Sequence, residues 1–259
     1  MYRLVSTCKA YGIWSSDWTQ RLETVTGDLE KPQLGLSSAV WDRLAKEVDV
    51  VIHNGARVHW VLPYSNLRAV NVLGTLAAIA LCATGKPKQL AFVSSTSVLD
   101  TEHYVNLSDA GTPVPESDDL EGSRKGLGTG YGQSKWAAEY LVREAGKRGL
   151  RASNTDDFLV RMLKGCVQLG SRPDISNTVN KVPVDHVASV VVASAFHPPT
   201  TPLGVAQVTS HPRLTMNEYL GALQLYGYDV PLQPYEQWKE EARKYVEEPS
   251  AKGGEEFAL

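Results

Sequence analysis

Two short apolar segments, each followed by a helical pattern, constrain the fold of this chain most. Residues 48–56 and 88–98 have the length and β-branched content of buried strands. Residues 65–83 carry apolar side chains at helical spacing, and residues 134–148 are rich in Ala, Glu, Lys and Leu. Alternating strands and helices predict an α/β fold with a doubly wound parallel sheet.

The carboxyl ends of these strands form the predicted ligand-binding edge, because open parallel sheets bind ligands there. Residues 22–29 predict a further strand with Asp28 at its end, and Gly55 and Ala56 permit close approach to the backbone. Hydroxyl residues 94–97 follow the 88–98 strand core. One of them could bind a substrate carbonyl. Alternatively, the cluster forms the turn and helix cap that Ser and Thr favour.

Lys135 lies in the predicted helix 134–148, and Tyr131 lies four residues before Lys135 at the start of that helix. At this spacing the two side chains share one helical face. An ammonium group that close favours the phenolate and makes Tyr131 a usable proton donor or acceptor. The spacing alone is also typical of an ordinary exposed helix pair. The neighbouring strand ends are what favour the catalytic interpretation.

Together these segments resemble the extended short-chain dehydrogenase/reductase superfamily, and they occur in that family's order. The matching motifs are Gly27-Asp28-Leu29, His53-Asn54-Gly55-Ala56, Asn71-Val72-Leu73-Gly74-Thr75, Val93-Ser94-Ser95, Tyr131 with Lys135, and Val184-Asp185-His186-Val187-Ala188. Further stretches resemble the family's thioester reductase domains: 10–14, 58–61, 155–158, 162–170 and 211–213. The resemblance implies a Rossmann-like sheet and a smaller substrate lobe.

The resemblance also implies an activity, which is NADPH-dependent reduction of an acyl thioester on a phosphopantetheine arm to an aldehyde. The implied acyl group is 2-aminoadipate, in lysine biosynthesis. The implied partners are adenylation and carrier domains of a multidomain enzyme. Ser95, with Thr96 as its rival, would bind the developing oxyanion, Tyr131 would donate a proton, and Lys135 would support Tyr131. The implied cofactor-binding residues are Asp28, Leu29, Asn54, Gly55, Ala56, Asn71, Tyr131 and Lys135.

The chain differs from the family pattern in two places. It contains no Gly-x-x-Gly-x-x-Gly turn, and residue 1 corresponds to a position after the family's first βαβ unit. After Gly149 the chain is expected to pass directly into a helix cap at Ser153, without the family's next strand. We therefore expect a partial Rossmann-like domain at 1–151 and a substrate-binding lobe at 152–259.

Composition excludes several other classes of protein. A net charge of −3 does not suggest a nucleic-acid partner. Cys8, Cys82 and Cys166 are widely separated and predict reduced core thiols of a cytoplasmic protein. No metal-ligand spacing occurs, and no segment resembles a signal peptide or a membrane span.

Three hypotheses remain at the level of sequence. The first is a thioester reductase domain. The second is a related reductase or epimerase that acts on another small molecule. The third is a catalytically inactive fragment, which the missing glycine motif favours. Nucleotide preference, the acyl group, oligomeric state and the choice between Ser95 and Thr96 stay open.

Overall fold

The computed structural model describes residues 1–153, 166–179, 182–197, 204–210 and 213–247. Its α-helices are α1 (Tyr2–Ala10), α2 (Ser38–Glu47), α3 (Tyr64–Arg68), α4 (Gly74–Ala83), α5 (Glu102–Asp109), α6 (Gly130–Lys147), α7 (Val184–Phe196), α8 (Met216–Leu225) and α9 (Tyr235–Glu247). Its strands are β1 (Val50–His53), β2 (Gln89–Phe92), β3 (Arg151–Ser153), β4 (Arg172–Pro173), β5 (Thr178–Val179), β6 (Leu214–Thr215) and β7 (Leu232–Gln233). Shorter helical turns lie at Ser16–Arg21, Pro32–Gly35, Ala69–Leu73, Thr96–Leu99 and Glu121–Ser123.

The central sheet has the order β1-β2-β3, and both pairs of strands are parallel. Leu90 and Phe92 of β2 are fully buried against Cys82 of α4 and against Ala138 and Val142 of α6. Helix α7 packs across all three strands. Burial of these apolar side chains stabilises the stacked layers of sheet and helices. The predicted α/β class with a parallel sheet is confirmed.

The predicted strand at residues 22–29 is wrong. Residues 22–27 are exposed, and the segment 22–28 pairs with no described strand, so it forms no ladder. The backbone N–H of Asp28 donates instead to the carbonyl of Leu34, 2.7 Å away, which closes a local turn. β-Propensity predicts an extended backbone here but cannot supply the neighbouring strand that a ladder requires.

The expected absence of a strand after Gly149 is also wrong. Strand β3 follows α6 and pairs with β2, with Gln89 opposite Arg151 and Ala91 opposite Ser153. Gly149 has φ 101°, a conformation that suits glycine and returns the chain to the sheet edge. The sequence Arg-Ala-Ser has little strand character of its own, so the open edge of β2 determines this strand.

Residues 101–130 are not one continuous loop, because they contain α5. Tyr104 of α5 packs with Val98 and Leu120 in a buried cluster. The indole N–H of Trp136 in α6 donates to the carbonyl of Leu120, 2.9 Å away. These contacts fix residues 102–120 against the catalytic-looking helix.

The later part of the chain has its own small core. Cys166, Val179, Tyr219, Leu220 and Trp238 form a buried cluster beside the pairs β4–β7 and β5–β6. Helix α8 begins with a capping box between Thr215 and Glu218. Helix α7, however, packs on the central sheet, so part of the predicted 152–259 lobe shares a layer with the first part. The division at residue 151 stays a prediction.

The expectation that no segment resembles a membrane span does not hold for the helical stretch Tyr64–Ala83. It is long and apolar enough to cross a membrane by length and composition, and half of its apolar window is buried within the protein. Helix α4 packs against β1, β2 and α6. We therefore interpret the stretch as a core helix.

Candidate functional site

Helix α6 places Tyr131 and Lys135 one turn apart, and each is only 3% exposed. The helix begins where Thr129 Oγ1 accepts a hydrogen bond from the N–H of Gly132, 3.0 Å away. A Cβ on Gly130 would collide with the backbone of residues 62–64. The start of α6 is therefore fixed against the loop that precedes α3, and Tyr131 is fixed with it.

Lys135 joins α6 to the carboxyl end of β2. Its ammonium Nζ donates to the carbonyl of Val93, 2.6 Å away, and lies 4.4 Å from the ring centroid of Phe92. The ring of Tyr131 packs against Trp60, with 6.2 Å between centroids. The two residues predicted from the Tyr-x-x-x-Lys spacing thus lie together at the predicted edge of the sheet.

The hydroxyl residues after β2 form a turn against the start of α6. A Cβ on Gly132 would lie 2.8 Å from the carbonyl oxygen of Ser97. Ser95 Oγ accepts from the N–H of Ser97 (3.2 Å) and donates to Ser97 Oγ (3.0 Å), so Ser95 caps the Thr96–Leu99 turn. Thr96 is exposed, and among the described residues its hydroxyl has no hydrogen-bond partner. Ser95 therefore caps the Thr96–Leu99 turn, as the alternative interpretation of the hydroxyl cluster expects.

Asn71 is buried and links the loop after β1 to α6. Its Oδ1 accepts from the N–H of Arg57 (2.8 Å), while Nδ2 donates to the carbonyl of Arg57 (3.1 Å) and to Ser134 Oγ (2.9 Å). Both amide hydrogens are therefore used within the protein. Asn71 holds the 54–57 loop beside Tyr131 and Lys135, whereas its expected direct contact with a cofactor stays a prediction.

His53, at the end of β1, is buried beside the same group of residues. Thr75 Oγ1 donates to the carbonyl of Asn71 (2.6 Å), so its proton is used there. His53 Nε2, 3.0 Å from Thr75 Oγ1, must then be the donor in that contact. The imidazole stacks on the ring of Phe92, which Lys135 Nζ also contacts. Burial, and secondarily the charge of Lys135, lowers the pKa of His53 to about 4.

We expect His53 to make the folded state less stable as the pH falls from about 6.5 to about 4. In that interval the unfolded chain binds a proton at His53 and the folded chain does not, so acid favours unfolding by about 3 kcal/mol. Below about pH 4 His53 is protonated in both the folded and the unfolded state, so it causes no further loss of stability. Urea unfolding at about pH 7 and about pH 4.5 should show a smaller pH dependence for His53→Gln than for the unsubstituted protein. The exposed His186→Gln should retain the full dependence. An equal dependence in His53→Gln would contradict the assignment.

The predicted cofactor edge also comes together in space. The side chain of Leu29 fills the space beside Gly55, and its carbonyl lies 3.0 Å from a Cβ placed on Gly74. Glu30 and Arg57 form an ion pair at 2.5 Å. The loop after Asp28 is thereby held against the loop after β1, where Asn54 and Gly55 are exposed and Ala56 is half-buried. The N–H of Glu30, donating to the Asp28 carboxylate, lowers the pKa of Asp28.

These residues fit one end of a dinucleotide. The exposed Asn54–Gly55 backbone and the Tyr131–Lys135 pair lie at the carboxyl ends of β1 and β2, where such ligands bind. Ser94 Oγ beside them is buried and has no hydrogen-bond partner among the described residues. The pyrophosphate end normally needs a glycine-rich turn at a helix N-terminus, and the 259 residues contain no Gly-x-x-Gly-x-x-Gly sequence.

A cavity of about 580 Å³ opens beside the hydroxyl turn, and Ser95 and Thr96 line it. Sequence reasoning missed the buried ion pair in its wall, in which Arg143 donates to Glu139 at 2.8 Å and to the carbonyl of Asp118 at 2.8 Å. The spacing of the sequence could have indicated this ion pair. Residues 131, 135, 139 and 143 follow one another every four positions on one face of α6. A polar stripe on a buried helix face indicates a polar site rather than packing.

Several predicted features lie outside these contacts. Residues 155–158, 162–165 and 211–212 of the matching stretches are outside the described residues. Within the described ranges, no group of three His, Cys, Asp or Glu side chains could hold a metal ion. Burial raises the pKa of the Cys82 thiol to about 12, and the same holds for Cys166. Such thiols are poor nucleophiles at neutral pH.

Comparison with known proteins places these observations in a family. Residues 1–191 match the model of an NAD-binding family whose description is Male sterility protein. The L-2-aminoadipate reductase large subunit of Penicillium chrysogenum is 59% identical over 94% of this chain and 19% of that protein. The L-2-aminoadipate reductase of Saccharomyces cerevisiae is 53% identical over 92% of this chain and 19% of that protein. The chain thus spans about a fifth of the length of these relatives.

The crystal structure of the terminal R domain from the myxalamid PKS-NRPS biosynthetic pathway is similar as well. It has a TM-score of 0.82 and 33% identity, and the match covers 97% of this chain and 66% of that domain. This similarity agrees with the α/β fold of the described residues.

Proposed function

We propose that this chain, which belongs to the NAD-binding family described as Male sterility protein, reduces a carrier-bound acyl thioester to an aldehyde. Within the extended short-chain dehydrogenase/reductase superfamily it belongs to the thioester reductase domains. The contact that supports this proposal most is the one between Lys135 Nζ and the Val93 carbonyl. It fixes the Tyr131 helix against the end of β2, where a carbonyl substrate would bind.

The side chains act on a thioester carbonyl in the following way. A bound NADPH would supply the hydride to the carbonyl carbon. Tyr131 donates a proton to the oxygen as negative charge develops there. Lys135 would keep a positive charge beside the phenol and would hold the nicotinamide ribose of a bound cofactor. The carbon–sulfur bond then breaks, and the proton on the oxygen passes to the departing sulfur. The products are the aldehyde and the pantetheine thiol.

We propose Thr96, the rival of Ser95, as the hydroxyl that binds the oxyanion. The Ser95 hydroxyl already donates to Ser97 Oγ, whereas Thr96 is exposed on the cavity side of the same turn. An oxyanion donor must keep its proton for the transition state.

Thr96→Val is therefore expected to lower kcat by about 10²- to 10³-fold. Ser95→Ala should instead cost about 1 kcal/mol of stability through the lost cap, with a smaller effect on kcat. Steady-state kinetics and urea unfolding of both variants separate the two roles. A larger loss of kcat in Ser95→Ala than in Thr96→Val would return the assignment to Ser95.

The acyl group and the partners follow from the relatives. We propose 2-aminoadipate as the acyl group, because the similar fungal proteins are L-2-aminoadipate reductases. The carrier would be a phosphopantetheinyl domain that is loaded by an adenylation domain. A reductase solved together with a thiolation domain shares this fold, with a TM-score of 0.68. The process would be lysine biosynthesis, and the expected location stays cytoplasmic.

The second candidate function is a chain that retains the site without turning over. A reductase or epimerase with another small-molecule substrate is the third possibility, which the 59% identity to an aminoadipate reductase disfavours.

Melting of the 259-residue chain with NADPH, with NADH and without nucleotide distinguishes these candidates. The proposal expects a saturable rise in melting temperature with NADPH, and nucleotide oxidation when an acyl-pantetheine thioester is added. A rise in melting without oxidation supports the second candidate. No rise with either nucleotide contradicts a nucleotide-dependent reductase.

A further inference from the structure

The cavity beside Thr96 contains charges of both signs. Its volume of about 580 Å³ suits a small molecule, since such sites span roughly 300–1,000 Å³. Apolar side chains, among them Val98, Val105 and Val205, line part of it. Asp118, Glu139 and Arg143 in its wall are buried or half-buried and bond to other groups of the protein, whereas Glu116 and Arg213 are exposed.

Glu116 is the acidic group that can still accept a hydrogen bond. One of its oxygens, Oε1, accepts from the N–H of Gln207, 2.8 Å away, which ties the 113–118 loop to the 204–210 segment. The side chain is exposed, so its second oxygen is available to a ligand. Asp118 differs in exposure, since it is half-buried and its Oδ1 accepts from both the Tyr104 hydroxyl (2.5 Å) and the N–H of Leu120 (2.8 Å).

Arg213 is the corresponding cation. It lines the cavity and directly precedes β6, which pairs with β5. Among the described residues it has no ion-pair or hydrogen-bond partner. The other guanidinium in the wall, that of Arg143, is taken up by Glu139 and the carbonyl of Asp118.

We propose that Arg213 and Glu116 bind the two charges of an α-amino acid group at the far end of the acyl chain. Arg213 pairs with its carboxylate and Glu116 with its ammonium. The apolar part of the wall accommodates the methylene groups that separate them from the thioester at Thr96. This inference rests on the proposed function, and it assigns the residues that select the acyl group.

Binding of unreactive substrate analogues tests the assignment without any hydride transfer. The probes are pantetheine amides, in place of thioesters, of three acyl groups. The 2-aminoadipyl amide carries both charges, the adipyl amide lacks the ammonium, and the 5-aminopentanoyl amide lacks the carboxylate. Calorimetric titration of the 259-residue chain gives Kd for each.

Arg213→Gln is expected to weaken the 2-aminoadipyl and adipyl amides about tenfold or more and to leave the 5-aminopentanoyl amide unchanged. Glu116→Gln keeps the acceptor for Gln207 and should weaken only the two amides that carry an ammonium. The exposed pair Arg124 and Glu121, which does not line the cavity, provides the matched controls Arg124→Gln and Glu121→Gln. These should change no Kd.

Equal Kd values in the variants and the unsubstituted protein, equal weakening of all three amides, or no saturable binding by the unsubstituted protein would each overturn the inference. Failure of the proposed function is read separately. In that case the amides discriminate as described, yet the corresponding thioesters oxidise no nucleotide.

Discussion

Tyr131→Phe is expected to lower the rate of thioester reduction by about 10²- to 10⁴-fold, because it removes the proton donor and little else. The phenylalanine ring can keep the packing of Tyr131 against Trp60, 6.2 Å between centroids. Nucleotide affinity and melting temperature should therefore stay close to those of the unsubstituted protein. Single-turnover rates with an acyl-pantetheine thioester, together with a nucleotide titration, measure both quantities.

Tyr140→Phe is the matched control for that experiment. Tyr140 lies on the same helix, is 38% exposed, stacks on Trp136 and does not line the cavity beside the hydroxyl turn. The Tyr140→Phe variant should reduce the thioester at the rate of the unsubstituted protein. If Tyr131→Phe retains a rate within a few fold of the control, Tyr131 is not the proton donor.

Arg143→Met is expected to destabilise the fold by about 3–5 kcal/mol, because it removes the cation that pairs with the buried carboxylate of Glu139. The side chains of Arg143 and Glu139 are only 12% and 6% exposed, and the arginine also bonds the carbonyl of Asp118. The free energy of urea unfolding measures the loss. Much of it should return in the double variant Arg143→Met with Glu139→Leu, which also removes the buried negative charge of Glu139.

Lys147→Met tests whether burial causes the effect. Lys147 pairs with Glu144 on the same helix at 2.6 Å, but the lysine side chain is 72% exposed. Solvent screens such a pair, so its loss should change stability little. Equal stability of Arg143→Met and Lys147→Met would show that the buried pair does not stabilise the fold.

Local sequence patterns were sufficient for the strands β1 and β2, for the helical stretch Tyr64–Ala83 and for most of α6. Each of these elements repeats apolar residues at its own period, and the buried side chains Leu90 and Phe92 follow from that pattern. The common face of Tyr131 and Lys135 followed from helical geometry alone. The helix nevertheless begins at Gly130 rather than Ser134, since Thr129 caps it.

Features that depend on distant partners were not accessible from the sequence. The segment 22–28 pairs with no strand in the described part of the chain, while Arg-Ala-Ser at 151–153 becomes a strand because the edge of β2 is open to it. The roles of Ser95 as a cap and of Asn71 as a link to Arg57 likewise require contacts that a motif does not contain. Glu116 is tied to Gln207, 91 positions along the chain.

Transfer of deuterium from NADPH labelled at the nicotinamide C4 position to a 2-aminoadipyl-pantetheine thioester tests the central claim most directly. The account predicts an aldehyde that carries one deuterium from the labelled face, formed together with one equivalent of free thiol and detected by mass spectrometry of a trapped product. An intact thioester in the presence of bound nucleotide would contradict it, as would an aldehyde without deuterium.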